Sequence, residues 1–193
     1  MEQRITAARG LWLRRWTDGD AGPVLTAFSD PSMRWQSSAP VSTPDAAARW
    51  IADRNEQWAS GSAFSFAVTD DTDTVLGQVA VGAVNRQHRT GWVSYWTTEQ
   101  ARGRGVASQA CRSLARWVFA EAALFRLELG HRTNNPASCR VAVAAGFAVE
   151  GTERRKLEYD GVRYDVERHA RLATDEEPAP LPPVRAPQRP APL

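Results

Sequence analysis

The hydrophobic period of this chain changes across one short segment, and that change restricts the fold more than any other feature. Residues Trp92 to Thr97 (WVSYWT) crowd β-branched and aromatic side chains as a strand does. From Val106 onward, Ala107, Cys111, Leu114 and Val118 recur at helical spacing, while Arg112, Arg116 and Glu121 fall elsewhere on the wheel. Between them lies Arg102-Gly103-Arg104-Gly105, a turn. A strand feeding a helix through such a turn directs unpaired helix N–H groups and the positive end of the helix dipole at one point. The glycines let a ligand come close, and the two arginines add charge. A diphosphate fits that description. The segment lacks the Gly-Lys-Ser/Thr end of a Walker loop and the spacing of the dinucleotide glycine fingerprint. A turn that merely connects two elements is the plainer alternative.

The rest of the chain reads as a mixed α/β domain. Gly10 to Trp16 predicts a strand with Leu11 and Leu13 on one face, and Asp18-Gly19-Asp20 opens a helix to about Phe28. Thr43-Pro44 supplies an N-cap and first-turn proline for a helix over Asp45 to Ala59. Three strands follow as an antiparallel meander: Phe64 to Thr69, Val75 to Val84 and Trp92 to Thr97, the first two separated by Asp70-Asp71-Thr72-Asp73. After the helix from Gly105 come a strand at Phe125 to Leu129 and a helix from Asn135-Pro136 through Ala145, closed by Gly146-Phe147. Two last strands, Val149 to Tyr159 and Arg163 to Leu172, turn at Asp160-Gly161. About seven strands are expected.

Composition narrows the function. The net charge is only +2, Lys156 is the sole lysine, and acidic residues are interspersed with the arginines, so no basic stripe for nucleic acid is expected. Two cysteines, Cys111 and Cys139, and three histidines at ordinary spacings suggest neither a disulfide framework nor a zinc cluster, so no metal is expected. No apolar run approaches membrane-spanning length and no signal segment is visible, which predicts a soluble, cytoplasmic protein without a membrane partner. From Pro178 onward prolines crowd the chain. Proline this dense forbids helix and ladder hydrogen bonds, which divides the sequence into a domain over residues 1–173 and a flexible tail over 174–193.

The arginine and glycine turn resembles the Gln/Arg-x-x-Gly-x-Gly/Ala signature of the GNAT superfamily of N-acetyltransferases, with Arg102, Gly105 and Ala107 in the matching places. Tyr95-Trp96, Leu127-Glu128-Leu129, Asn135-Pro136-Ala137-Ser138, Ala145-Gly146-Phe147, Glu150-Gly151, Asp165 and Ala170-Arg171-Leu172 look like its RimJ/RimL branch, the ribosomal-protein N-terminal acetyltransferases. The resemblance implies a mostly antiparallel sheet that splays between the strands at Trp92 and Phe125, leaving a wedge for acetyl-CoA. It implies that Tyr95, Trp96 and Thr97 meet the pantetheine arm through their backbone. Arg102, Gly103, Arg104, Gly105, Val106 and Ala107 would hold the diphosphate, Asn135 would approach the pantetheine, and Ser138 would lie near the sulfur as hydrogen-bond donor to the departing thiolate. A homodimer is compatible with the resemblance.

The expected activity is transfer of acetyl from acetyl-CoA to a primary amine, either a protein or peptide N-terminus or a small molecule. The alternative is an acyl-CoA-binding sensor without catalysis. His131, at the end of a strand bordering the wedge, is the candidate base, its ordinary pKa near 6.5 suiting proton transfer. Glu128 and Glu150 are possible relays, ordered water is a further route, and Leu157 stands where some relatives carry a glutamate. Trp35, Arg34 and Tyr164 are candidate acceptor contacts, whereas Trp12, Trp50, Trp58 and Trp117 are assigned to core or half-buried faces. Each site residue also has a plainer role. Asn135 is a good N-cap, Ser138 can bond to backbone in a first helical turn, Cys139 is a small filler, and a lone histidine is more often structural.

Overall fold

The computed structural model describes residues 4–8, 10–37 and 39–184. In chain order the elements are β1 (Ile5–Ala8), β2 (Leu11–Arg14), α1 (Ala21–Phe28), α2 (Pro44–Ser60), β3 (Phe64–Thr69), β4 (Val75–Asn85) and β5 (Thr90–Thr97). There follow α3 (Val106–Ala120), β6 (Arg126–Arg132), α4 (Pro136–Ala144), β7 (Ala148–Tyr159) and β8 (Val162–Leu172). The strands form one sheet in the order β1-β2-β3-β4-β5-β6-β8-β7, antiparallel everywhere except between β5 and β6. No helix among the described residues is long and apolar enough to cross a membrane.

The expected α/β domain is present, with two corrections of detail. Among the described residues there are eight strands, because Ile5–Ala8 folds back to pair with Leu11–Arg14. Four residues are too few for a periodic signal. Strand β6 runs on past Leu129, through Gly130, to Arg132. That glycine is needed inside the strand, since a Cβ there would stand 3.0 Å from both the Trp92 ring and Val166 Cγ1.

Helices cover both faces. On one, Val106, Ala110, Leu114 and Val118 of α3 and Ala142 of α4 pack with Phe66, Val79, Val81, Leu127 and Leu129 of the sheet. On the other, Val24 and Ala27 of α1 and Ala47, Trp50 and Ile51 of α2 pack with Trp16, Ala67 and Trp96. Here the tryptophans earn their number. Trp96 stacks on Trp16 at 6.2 Å and meets Phe28 edge-on at 5.9 Å, while Trp16 and Trp50 make a T-shaped pair at 5.0 Å. Each such pair adds about 0.5–1.5 kcal/mol beyond the area it buries. The caps read from the sequence are in place: the Thr43 side chain accepts from Ala46 N at 3.2 Å, and Asn135 Oδ1 accepts from Ser138 N at the same distance.

The segment after β8 forms no helix or strand over residues 175–184, as its prolines dictate, yet it lies against the domain. Glu177 accepts from Arg112 Nε at 2.8 Å and pairs with Arg116 and Arg171, each at 2.6 Å. The Arg112 guanidinium also donates to the carbonyls of Pro178 and Ala179, and Gln109 donates to that of Pro182. Proline removes the segment's ladder donors but leaves its carbonyls free to accept. Residues 185–193 lie outside the described set.

A buried ion pair ties the first hairpin to α1. Arg14 and Asp20 are only 5% and 4% exposed and meet through two hydrogen bonds of 2.7 and 2.9 Å. Burial alone would raise the Asp20 carboxyl, but Arg14 and the Thr17 N–H and hydroxyl outweigh it and hold it below the usual carboxylate range. Asp20→Ala, which leaves the guanidinium buried without its partner, should cost about 3–5 kcal/mol in urea unfolding. Because the folded-state carboxyl is depressed, its contribution is complete above the ordinary carboxylate pKa and is lost as pH falls through the lowered value. The wild-type and Asp20→Asn stability curves should therefore converge in acid.

Candidate active site

Strands β5 and β6 run side by side only briefly. Their register is Thr90↔Arg126, Gly91↔Leu127 and Trp92↔Glu128, and the pairing then stops. Strand β5 stays bound to β4 as far as Gly77↔Thr97, and β6 stays bound to β8 as far as Arg132↔Val166. The two therefore diverge, leaving one edge of β5 without a strand partner over Tyr95, Trp96 and Thr97. A cavity of about 520 Å³ occupies the gap. Its lining includes Tyr95, Trp96, Thr97, Arg102, Gly103, Gly105, Val106, Ala107, Asn135 and Ser138. The residues read from the sequence as coenzyme contacts are thus brought together, except that Arg104 is not among the lining residues; it reaches back toward Gln100 O at 3.4 Å.

The start of α3 forms one end of this cavity. Gly105, at φ +87°, sits in the left-handed region that lets the chain enter the helix without a Cβ clash, and it offers no capping side chain. The first intrahelical bond runs from Gln109 N to Gly105 O, so the N–H groups of Val106, Ala107 and Ser108 have no partner within the helix. With the helix dipole behind them they suit an anion. Arg102 does not point its charge freely into the gap. It bonds to Asp30 and, at 2.9 Å, to Ser32 Oγ, latching the turn to the loop after α1. The Ser32 N–H and hydroxyl, with Arg102, hold the Asp30 carboxyl below its ordinary range.

At the other end the walls touch. The Tyr95 hydroxyl donates to Ser138 O at 3.3 Å. Burial pushes the Tyr95 phenol well above its usual pKa, so it keeps its proton.

This split sheet, with an uncapped helix start at its mouth, is accompanied by a direct sequence match: the acetyltransferase (GNAT) domain pattern covers residues 10–148. The chain belongs to the GNAT acetyltransferase family. It is 31% identical over 110 residues to the probable N-acetyltransferase YjcK of Bacillus subtilis, covering 56% of this chain and 61% of that protein. It is 28% identical over 100 residues to the ribosomal-protein-serine acetyltransferase of Escherichia coli, covering 52% and 56% respectively. The matched stretches thus span less than two thirds of either relative. The solved structure of RimL, a ribosomal α-N-protein acetyltransferase in complex with coenzyme A, superposes with a TM-score of 0.81 at 20% identity, over 88% of this chain and 98% of that one.

In this GNAT domain His131 is not among the cavity-lining residues. It is buried, its Nδ1 lies 3.0 Å from Arg132 O and its Nε2 lies 3.0 Å from His169 Nε2. Glu128 is held by Arg126 at 2.8 Å and Arg168 at 2.7 Å, and Glu150 by Arg126, so both carboxylates sit in an ion-pair network.

The three candidate acceptor residues do gather. Trp35 meets Tyr159 at 4.7 Å, Tyr159 meets Tyr164 at 5.9 Å, and Arg34 lies over Trp35 at 4.4 Å while pairing with Asp160. Sequence reading missed Tyr159 and Arg132, whose guanidinium stands 5.2 and 5.0 Å over the Tyr159 and Tyr164 rings. Their only local signal was the Asp160-Gly161 turn, which brings Tyr159 round toward Tyr164. The group joins the loop after α1 to the β7–β8 turn.

A Cβ at Gly105 would meet nothing within 4 Å, so the space in front of it is open to a ligand. Gly105→Trp fills that space and strains the positive-φ backbone, and should reduce coenzyme A affinity below detection in isothermal titration, whereas Gly105→Ala, with the same strain and no bulk, should lose much less. Unchanged affinity would place the diphosphate elsewhere.

Proposed function

We propose that the chain is an acetyl-CoA-dependent N-acetyltransferase acting by direct attack of a primary amine on the thioester. The observation that carries this reading is the cavity between β5 and β6, which runs from unpartnered N–H groups of α3 to the Tyr95 and Ser138 hydroxyls. The residues fit the co-substrate. The helix start suits a diphosphate, and the open edge of β5 suits an amide-bearing arm that adds to it as a strand would. Acetyl-CoA supplies the activated carbonyl, and the chain supplies placement.

The reaction asks three things of the protein. A new C–N bond forms as the C–S bond breaks, the carbonyl oxygen gathers charge, and the amine sheds a proton. A main-chain N–H at Trp96 or Thr97 faces the oxygen in this reading. Ser138 donates a hydrogen bond to the leaving sulfur, which takes up its proton from water, while the Tyr95 hydroxyl keeps its own proton and holds the Ser138 carbonyl. The amine's proton passes to water. His131 is left out of this path because both of its ring nitrogens are engaged away from the cavity.

The acceptor is an amine carried by a protein or peptide N-terminus or by a small molecule. Trp35, Tyr159 and Tyr164 form its aromatic seat, with Arg34 and Arg132 to take carbonyls or carboxylates beyond the reacting nitrogen. The similarity to a ribosomal-protein-serine acetyltransferase supports a protein acceptor.

Thiol release from acetyl-CoA, measured across peptide N-termini, polyamines and aminoglycosides, tests the activity. Tight coenzyme binding with no turnover on any acceptor would make the chain a sensor instead. Ser138→Ala should lower kcat by about 10²-fold or more while leaving coenzyme Kd within about twofold. Wild-type turnover in that variant would reduce Ser138 to a residue of the capping turn.

A further inference from the structure

Beside the cavity, on the sheet face covered by α4, four side chains from three elements converge: His131 on β6, Cys139 in the first turns of α4, and Glu167 and His169 on β8. One potential ligand atom from each lies within 4.8 Å of all the others. His131 and His169 are buried, whereas Cys139 and Glu167 are half-buried, which leaves a path from solvent. None of these contacts is used in acetyl transfer as proposed above.

The hydrogen bookkeeping inside the cluster does not close. Arg132 O can only accept, so the 3.0 Å contact from His131 Nδ1 fixes the hydrogen on that nitrogen and leaves a lone pair on Nε2 of the neutral ring. That lone pair is 3.0 Å from His169 Nε2 and 3.3 Å from Glu167 Oε1, and the last two atoms are themselves 3.0 Å apart. One hydrogen on His169 Nε2 serves at most two edges of this triangle. The third sets a nitrogen lone pair against a carboxylate. Protonating both rings instead would bring two cations to 3.0 Å. In either tautomer His169 Nδ1 stays buried without a partner.

A divalent cation at the centre would satisfy every converging lone pair. We infer that His131 Nε2, Cys139 Sγ, Glu167 and His169 Nε2 form a binding site for a single zinc ion. Tetrahedral zinc with nitrogen and oxygen ligands near 2.0–2.1 Å and sulfur near 2.3 Å has ligand–ligand edges of roughly 3.3–3.8 Å, so the groups need to move by only about an ångström or less. The His131 Nδ1–H bond to a backbone carbonyl is the support that metal-bound imidazoles ordinarily have. A thiolate and a carboxylate neutralise the 2+ charge, and the mixed nitrogen, sulfur and oxygen set favours zinc over magnesium or calcium. With four protein ligands the site is closed and structural. It would pin the first turns of α4, next to Ser138, to the two strands beyond the parting. The spacing His131, Cys139, Glu167, His169 matches no zinc motif because strand pairing, not local sequence, assembles it.

A cysteine without a metal is a protonated thiol at neutral pH. Zinc replaces that hydrogen, so binding releases about one proton per ion to buffer. The test uses tag-free full-length chain, stripped with chelator and titrated with zinc against a chromophoric competitor, and then loaded with cobalt(II). Expected are one ion per chain, the released proton, and the near-ultraviolet thiolate-to-cobalt band with the strong visible bands of a tetrahedral site. Cys139→Ala, a half-buried position that tolerates alanine in a helix, should abolish the thiolate band. It should also weaken zinc by more than the roughly 10- to 100-fold lost when only a supporting group is removed. Glu167→Gln should weaken zinc but keep the band. Less than one ion per wild-type chain, or Cys139→Ala binding zinc as wild type does, would overturn the site. Coenzyme titration on the same samples is independent of either result.

Discussion

The arrest of strand pairing after Trp92 and Glu128 governs this structure. Two neighbouring parallel strands ordinarily continue their ladder, because each unpaired amide removed from water costs free energy. Here β5 cannot follow β6, since each strand is claimed more strongly from its other side. Tyr95 projects toward the core beneath α3, and Trp96 projects from the opposite face into the box of Trp16, Trp50 and Phe28. Strand β6 meanwhile follows β8 for seven register pairs. The Trp92 ring, packed against Gly130 and under the Arg168 guanidinium, fills the crotch where the strands separate. The exposed edge that results is the part of the sheet available to a ligand.

Charge is distributed to keep that opening from being crowded by its own arginines. Arg14 is buried against Asp20, Arg102 is tied to Asp30 and Ser32, and Arg126 and Arg168 share Glu128, Glu150 and Glu153. A chain with one lysine and many arginines has a net charge of only +2 because its acidic residues are nearly as many. At the mouth, the start of α3 adds a field that comes from backbone dipoles and cannot be compensated by swinging a side chain.

The elements legible in the sequence were those whose signals are local. Thr43-Pro44, Asn135-Pro136 and Asp160-Gly161 marked a helix start, a helix start and a hairpin, and the change of period around Gly105 marked the cavity's mouth. What escaped needed pairing partners distant in sequence. Strand β1 has only four residues and is defined by its neighbour. The reach of β6 beyond Leu129 is set by its pairing with β8. His131 read as a lone histidine because nothing in the sequence shows that Glu167 stands opposite it, or that His169 lies across from Leu129 on the same face. Tyr159 and Arg132 likewise join Trp35 only through the β7–β8 turn.

The Glu177 clasp has a consequence for where the folding unit stops. Arg112 and Arg171 are 5% and 2% exposed, yet their counter-charge arrives from beyond the last strand. A polypeptide ending at Leu172 would lack the carboxylate that joins Arg112, Arg116 and Arg171. The ion-pair layer on this face is therefore incomplete when β8 leaves the ribosome. The layer closes when a proline-stiffened strap is laid over it and Glu177 meets all three arginines.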